Sequence, residues 1–472
     1  MLTFGFVLNA LARQENLFSD QVLTDAAIDS RRVIPGSLFA ALRGESVDGH
    51  DYVRDAFERG AMVALVERVP DEGMSVLKLD TPLEPDVLQG ISFPVCLVVE
   101  DVLDALQTIA RKWREAQQDL RVIGITGSVG KSTTKEMVTE VLDQRYRTVK
   151  NPGNYNNEIG LPLSLLRLTE MHERAVLEMG FYVPGEIELL CSIAHPHVGV
   201  VTNISEVHLE RAGTMDAIVA GKQELIEKLP EDGTAILNYD DERVRAMAIN
   251  TRAQVFMYGL SPEADLWASD IESLGLEGIR FILHYGGDRV YVRVPLLGRH
   301  SVHTALRAAA VGLVEGLTWD EIIRGLQSSH AQLRLVAVSG PQHSLILDDT
   351  YNAAPPSVIA ALNLLAELDG RRIAVLGDMY ELGTFEESGH RLVGARAAEV
   401  VDQLVTVGPR ARWIADEARR AGLAERFINA YEENNEAIDY LRANVSTDDI
   451  ILVKGSRGMH MEDVVSALEE LE

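Results

Sequence analysis

The strongest local chemistry in the chain lies in Ile123-Gly124-Ile125-Thr126-Gly127-Ser128-Val129-Gly130-Lys131-Ser132-Thr133-Thr134. An apolar run enters a glycine turn, and Gly-Lys-Ser then opens a helical pattern. Glycines let backbone N–H groups face phosphate oxygens. The helix N-terminus adds its positive dipole end. Lys131 has the reach for β/γ-phosphates, and Ser132 is placed to ligate magnesium. Thr126, Gly127, Ser128, Val129, Gly130 and Thr133 complete the candidate phosphate set. The strict loop pattern wants glycine where Ile125 stands; here the early glycine is Gly127, giving Thr-Gly-x-x-Gly-Lys-Ser.

Three further sites look like ligands at strand ends, where open parallel sheets bind. Glu178 ends the apolar run Ala-Val-Leu-Glu-Met-Gly, where a carboxylate is costly unless paired or metal-bound. His208 follows the apolar run that begins at Val198. Asn156-Asn157-Glu158 precedes another apolar stretch, with amides able to meet phosphate. Lys222 is the most informative single residue. Ile218, Lys222, Leu225 and Leu229 fall on one helical face, so a lysine sits among apolar residues. Such a lysine either snorkels its ammonium to water or is desolvated and partly neutral. A neutral amine can react with carbon dioxide to give a carbamate, a carboxylate on a long arm suited to magnesium.

The elements that must position these residues alternate between strand and helix. Strand-like runs are Ser37–Leu42, Met62–Glu67 and Val95–Val99, then Val122–Thr126, Ala175–Met179, Val198–Ile204 and Thr234–Asn238. Asp101–Gln117 and the Ala-rich Ser301–Glu315 read as helices, and Phe281–Val294 as a hairpin about Gly286-Gly287-Asp288. A second alternating series, Ser344–Asp348, Arg372–Leu376, Gln403–Val407 and Asp449–Val453, closes with a helix over Met461–Leu471. The pattern predicts an α/β chain of three domains: residues 1–100, a mostly parallel sheet over 101–335, and a smaller doubly wound domain over 336–472.

Composition narrows the class. The chain has 472 residues and a net charge of −28, which argues against a nucleic-acid partner. Two cysteines, Cys96 and Cys191, are too few for a disulfide scaffold and suit a reducing cytosol. No apolar run approaches the length of a membrane span, and no signal peptide is read, so a cytoplasmic protein is expected.

The quoted loop, together with Asn-Tyr-Asn-Asn-Glu-Ile-Gly-Leu-Pro and Leu-Glu-Met-Gly, resembles the Mur ligases of peptidoglycan synthesis. Further matching stretches are Asp29-Ser30-Arg31-Arg32, Asp48-Gly49-His50-Asp51, Asp348-Asp349-Thr350-Tyr351-Asn352-Ala353, Gly377-Asp378-Met379-Tyr380-Glu381-Leu382-Gly383 and Val453-Lys454-Gly455-Ser456-Arg457-Gly458. They cover nearly the whole chain in the family's order. The resemblance implies an N-terminal domain that holds the UDP end of a precursor, with Ser30 and Arg31 near it. The central domain would bind ATP, and the third would close over it and receive an incoming dipeptide. It implies that Lys131 holds the β/γ-phosphates and that two magnesium ions are held, one by Ser132 and Glu178, the other by Glu178, His208 and carbamylated Lys222. Asn157, His300, Arg334 and Asp349 would contact ATP; Tyr351, Asn352, Lys454 and Arg457 would meet substrate. Ser301 and Thr304 stand where the family usually has asparagine, and a hydroxyl offers fewer contacts than an amide.

The implied reaction joins D-alanyl-D-alanine to UDP-N-acetylmuramoyl-tripeptide through an acyl phosphate, by a monomer. Two rivals keep the chemistry: a ligase adding the third residue (diaminopimelate or lysine), or a folylpolyglutamate-type ligase. A third, a nucleotide-binding regulator without turnover, is disfavoured by the presence of Lys131, Glu178, His208 and Lys222.

Overall fold

The computed structural model describes all residues except 13–16, 18, 45–46, 70–72, 80–90, 208, 329–334 and 470–472. Three sheets follow one another along the chain. The first has five parallel strands in the order Ala26–Ala27, Leu38–Ala40, Val63–Val66, Val95–Val98, Ser75–Lys78. The second has nine. Its parallel part runs Thr148–Lys150, Arg174–Glu178, Arg121–Thr126, Val198–Val201, Thr234–Asn238, Gln254–Gly259, Leu266–Ser273. The hairpin Ile279–Tyr285 and Asp288–Val294 then extends it antiparallel, turning at Gly286 and Gly287, both at positive φ. The third sheet is parallel through Leu345–Asp348, Asp449–Lys454, Arg371–Gly377, Gln403–Val407 and Ile428–Tyr431, with Val336–Ser339 antiparallel at its edge.

The central strands that feed the site are apolar on both faces because helices cover both. Ile123, Ile125, Val176, Val198, Val200 and Ile236 have no exposed surface. They pack against helix Lys131–Leu142 and the Ala-rich helix Val302–Val314. The opposite face shares one continuous core with the first sheet. Leu38 and Leu65 join Leu106 and Ile109 of helix Val102–Ala116, which in turn join Leu161, Leu177 and Leu190. Asp101 caps that helix by accepting from Asp104 N–H at 2.8 Å. Trp113 Nε1 donates to Leu168 O at 3.1 Å and Arg114 Nε to Ala194 O at 3.0 Å, tying the helix to the central unit. The first sheet is therefore held firmly against the second.

Some elements differ from the sequence expectation. The run from Val198 is a strand only to Val201; Thr202 and Asn203 leave the sheet to hold the phosphate loop. Strands Thr148–Lys150 and Ile428–Tyr431 lie at sheet edges, and Gln254–Gly259 and Leu266–Ser273 lie further in; in all four, exposed or half-buried residues blur the apolar signal. The last helix spans Glu462–Leu468, and the remainder of its expected range reaches residues 470–472, outside the described part.

Candidate active site

Four parallel strands end side by side, and their carboxyl ends carry the polar residues. Strand Arg121–Thr126 runs into the phosphate loop, whose turn needs Gly127 at φ 140° and Gly130 at φ 83°. The neighbouring strand end clamps this loop. Ser128 N–H donates to Asn203 O at 2.9 Å and Val129 N–H to Asn203 Oδ1 at 3.0 Å. Asn203 Nδ2 and Thr202 Oγ1 both donate to Val129 O, at 2.9 and 2.7 Å. The protein's own hydrogen bonds thus order the loop, which lowers the ordering cost of binding.

Gly127 tests this packing. A Cβ there would lie 1.9 Å from Thr202 Oγ1, on a backbone with positive φ. Gly127→Ala is expected to raise the ATP Kd more than about tenfold and to cost about 1–3 kcal/mol of stability. Titration calorimetry and thermal melts check both.

Helix Lys131–Leu142 follows directly. Lys131 Nζ folds back to donate to Gly127 O at 2.9 Å and Ser128 O at 3.3 Å, so it stands over the loop's phosphate face. Ser132 Oγ donates to Glu178 Oε2 at 2.6 Å. Glu178 is 2% exposed and ends its strand; Asn156 Nδ2 donates to its Oε1 at 3.0 Å, and Asn151 pairs with its backbone on both sides. Lys135, also buried, donates to Asn151 O at 2.8 Å and holds that support in place.

Lys222 lies on helix Met215–Glu227 and is 1% exposed, with Ile218 and Leu225 at 0% on the same face. It does not snorkel. Its Nζ points under the phosphate loop, 3.2 Å from Gly127 O, and lies 4.7 Å from the Phe181 ring centroid. Gly221 makes room for that ring: a Cβ there would fall 1.9 Å from Phe181 Cε2. Burial first, then the nearby Lys131 charge, hold the Lys222 pKa well below the usual lysine value.

Ser128 to Thr133, Glu178 and Asn156 line one cleft of about 880 Å³ between the second and third sheets, and Lys222 is not among its lining residues; the size suits a nucleotide and substrate. Ser128 to Thr133, Asn156, Asn157, Glu178 and His300 form one wall; Asp349, Tyr351, Asn352, Lys454 and Arg457 form the other. Lys454 is buried and pairs with Asp349 Oδ2 at 2.7 Å while donating to Asn352 O at 2.8 Å. It fixes the Asp349–Asn352 loop as well as carrying charge. Arg457 lies over the Tyr351 ring, 5.3 Å from its centroid.

Other expected residues sit elsewhere. Thr126 is fully buried and donates to Met179 O at 3.1 Å, which makes it a tie between strands. Asn157 is the exception: it lines the cleft while its Oδ1 accepts from Gly160 N–H at 2.9 Å at the start of helix Gly160–Leu165. Ser30 is buried in the first domain, and Arg31, its side chain 80% exposed, pairs with Asp29 at 2.9 Å. Neither lines the cleft. The next arginine, Arg32, reaches across to Tyr155 Oη at 2.8 Å and links the first domain to the Asn154–Asn157 loop. His208 and Arg334 lie outside the described residues. Asn203, Asn151, Lys135 and Arg307 were not foreseen from sequence.

Among the described residues no three His, Cys, Asp or Glu side chains converge on a metal site. The Ser132–Glu178 pair beside a phosphate loop nevertheless fits magnesium, which takes few protein oxygens and fills its shell with phosphate and water. No helix among the described residues is long and apolar enough to cross a membrane.

Comparison with known proteins agrees with this geometry. The family descriptions "Mur ligase family, catalytic domain", "Mur ligase middle domain" and "Mur ligase, glutamate ligase domain" match residues 24–114, 125–312 and 333–457. The UDP-N-acetylmuramoyl-tripeptide–D-alanyl-D-alanine ligase of Bacillus subtilis is 35% identical over 458 residues, 96% of this chain and 94% of that one. A crystal structure of MurF from Acinetobacter baumannii superposes with TM-score 0.84 at 30% identity, covering 98% of both chains. MurF from Thermotoga maritima in complex with ADP gives 0.78 at 28% identity, over 95% of this chain and 98% of that one. Three family regions in order, and relatives matched end to end, mean that the chain belongs to the Mur ligase family.

Proposed function

We propose that this chain uses ATP to join D-alanyl-D-alanine to UDP-N-acetylmuramoyl-tripeptide, a step of peptidoglycan precursor synthesis. The observation that carries the reading is the single cleft in which the phosphate loop and the Ser132–Glu178 pair face Tyr351, Asn352 and Arg457 of the third domain. Full-length similarity to ligases of this name supports the substrate pair.

Lys131 would move from the Gly127 carbonyl to the β/γ-phosphates of ATP, and the loop N–H groups would hold the polyphosphate. The tripeptide's free carboxylate attacks the γ-phosphorus, the bond to the β-bridging oxygen breaks, and ADP leaves. The D-alanyl-D-alanine amine then attacks the acyl carbon. The carbon–nitrogen bond forms, the carbon–oxygen bond to phosphate breaks, and the amine gives up a proton. Closure of the third domain over the cleft would keep water from the acyl phosphate.

Ser132 and Glu178 would hold one magnesium and Glu178 with carboxylated Lys222 a second, His208 being the further ligand proposed for it; the metals when bound would offset the crowding of phosphate and carboxylate anions. For Lys222 this requires carboxylation. Burial and the Lys131 charge disfavour the ammonium; the neutral amine would add to the carbon of CO2 and release a proton, leaving a carboxylate under the loop. The reading takes the enzyme to act as a monomer in the cytoplasm, a compartment that nucleotide-linked substrates suit.

A coupled ADP-release assay tests the reading with muramoyl tripeptides ending in lysine or diaminopimelate, against single amino acids and dipeptides. ADP release is expected only when a tripeptide and D-alanyl-D-alanine are both present. Release with a single amino acid in place of the dipeptide would overturn the acceptor assignment.

A further inference from the structure

Arg307 has no role in the chemistry described so far, and its surroundings are unusual. It lies on helix Val302–Val314, whose other residues from Thr304 to Gly312 are mostly alanine and aliphatic and are all buried. The arginine is itself only 4% exposed. Its Nη2 donates to Thr304 Oγ1 at 2.9 Å, and its Nη1 is 3.5 Å from Tyr258 Oη. Its buried Nε has no hydrogen-bond partner. No carboxylate pairs with it among the described residues. The guanidinium is nonetheless beside the phosphate loop: a Cβ placed on Gly130 would lie 3.3 Å from Nη2. Arg307 and Thr304 both line the cleft with Ser128–Thr133.

A buried guanidinium without an anion is costly, because it has left water and gained only neutral partners. The fold keeps it at the edge of an anion-binding loop, with Nη2 beside Gly130. The geometry points to Arg307 as a nucleotide-binding residue whose guanidinium meets the polyphosphate of ATP from the Gly130 side, opposite Lys131. Thr304 positions it. The threonine oxygen accepts from Nη2, which fixes the plane of the fork and leaves the hydroxyl proton for the ligand. This rests on the reading of the cleft as an ATP site.

The test is equilibrium binding by titration calorimetry with ATP, adenosine and inorganic tripolyphosphate, on wild type, Arg307→Met and Arg307→Lys. Methionine matches much of the buried stem without charge; lysine keeps charge without the fork. Arg307→Met is expected to weaken ATP and tripolyphosphate about 10- to 100-fold and to leave adenosine within about twofold. Arg307→Lys should recover part of that loss. In steady state the KM for ATP should rise while the KM for dipeptide stays level. A folded Arg307→Met that binds ATP and tripolyphosphate like wild type overturns the inference, as does a loss equal for adenosine and ATP. Should the methionine variant not fold, the lysine variant decides: undiminished affinity for tripolyphosphate overturns the claim. Wild type that binds no ATP would instead overturn the ATP-site reading.

Discussion

Lys222→Ala is expected to lower kcat by about 10²- to 10³-fold or more, the loss seen when a preorganised charged group is removed from a reacting phosphoryl or acyl centre. Two observations motivate this. Lys222 is sealed at 1% exposure under the loop that would hold the nucleotide, and its Nζ reaches Gly127 O at 3.2 Å. As an unmodified ammonium it would serve poorly there, because burial and Lys131 both disfavour its charge. As a carbamate it would bring a carboxylate to the same spot. A short carboxylate such as acetate or formate should therefore restore part of the activity of Lys222→Ala, while a short amine should not. Lys222→Met supplies a second readout. It replaces a buried, poorly paired amine with an apolar chain and is expected to stabilise the ligand-free protein by about 1–4 kcal/mol while removing activity. An active Lys222→Ala protein would end the carbamate role.

The same residue shows how far the sequence could be read. Ile218, Lys222, Leu225 and Leu229 spelled out a buried face, and the structure buries all four. The pattern could not tell snorkelling from burial. That choice depends on Phe181 and Gly127, which follow the ends of two strands and pack against the ammonium end of Lys222. Helical and central-strand periodicities were legible because those elements are apolar on defined faces. Edge strands such as Thr148–Lys150, with every residue half-buried, were not. Thr126 looked like part of the phosphate loop by its place in the motif, yet its hydroxyl is spent on Met179 O. Ser30 and Arg31 were named for a precursor site that the cleft itself does not include. Arg307 was passed over because an alanine-rich helix reads as packing. Only the register of that helix against Gly130 sets its guanidinium beside the loop.

That distinction between a packed residue and a working one can be drawn most cleanly at Glu178. Its carboxylate accepts from Ser132 Oγ at 2.6 Å and from Asn156 Nδ2 at 3.0 Å. In Glu178→Gln the amide oxygen can still accept from Asn156. The amide N–H₂ can donate to the Ser132 hydroxyl, which rotates to accept. The hydrogen bonds persist, so stability should change by no more than about 1 kcal/mol. The charge does not persist. Lys131 would then face ATP with no carboxylate at this strand end to hold magnesium. Activity is expected to fall about 10²- to 10³-fold, with the magnesium concentration needed for half-maximal rate shifted upward. Thermal melts, ADP release and a magnesium titration on the same preparation separate the two effects. A Glu178→Gln protein that melts like wild type and turns over within about fivefold of it would mean that Ser132 and Asn156 need only a hydrogen-bonding partner there, and that the metal is held elsewhere.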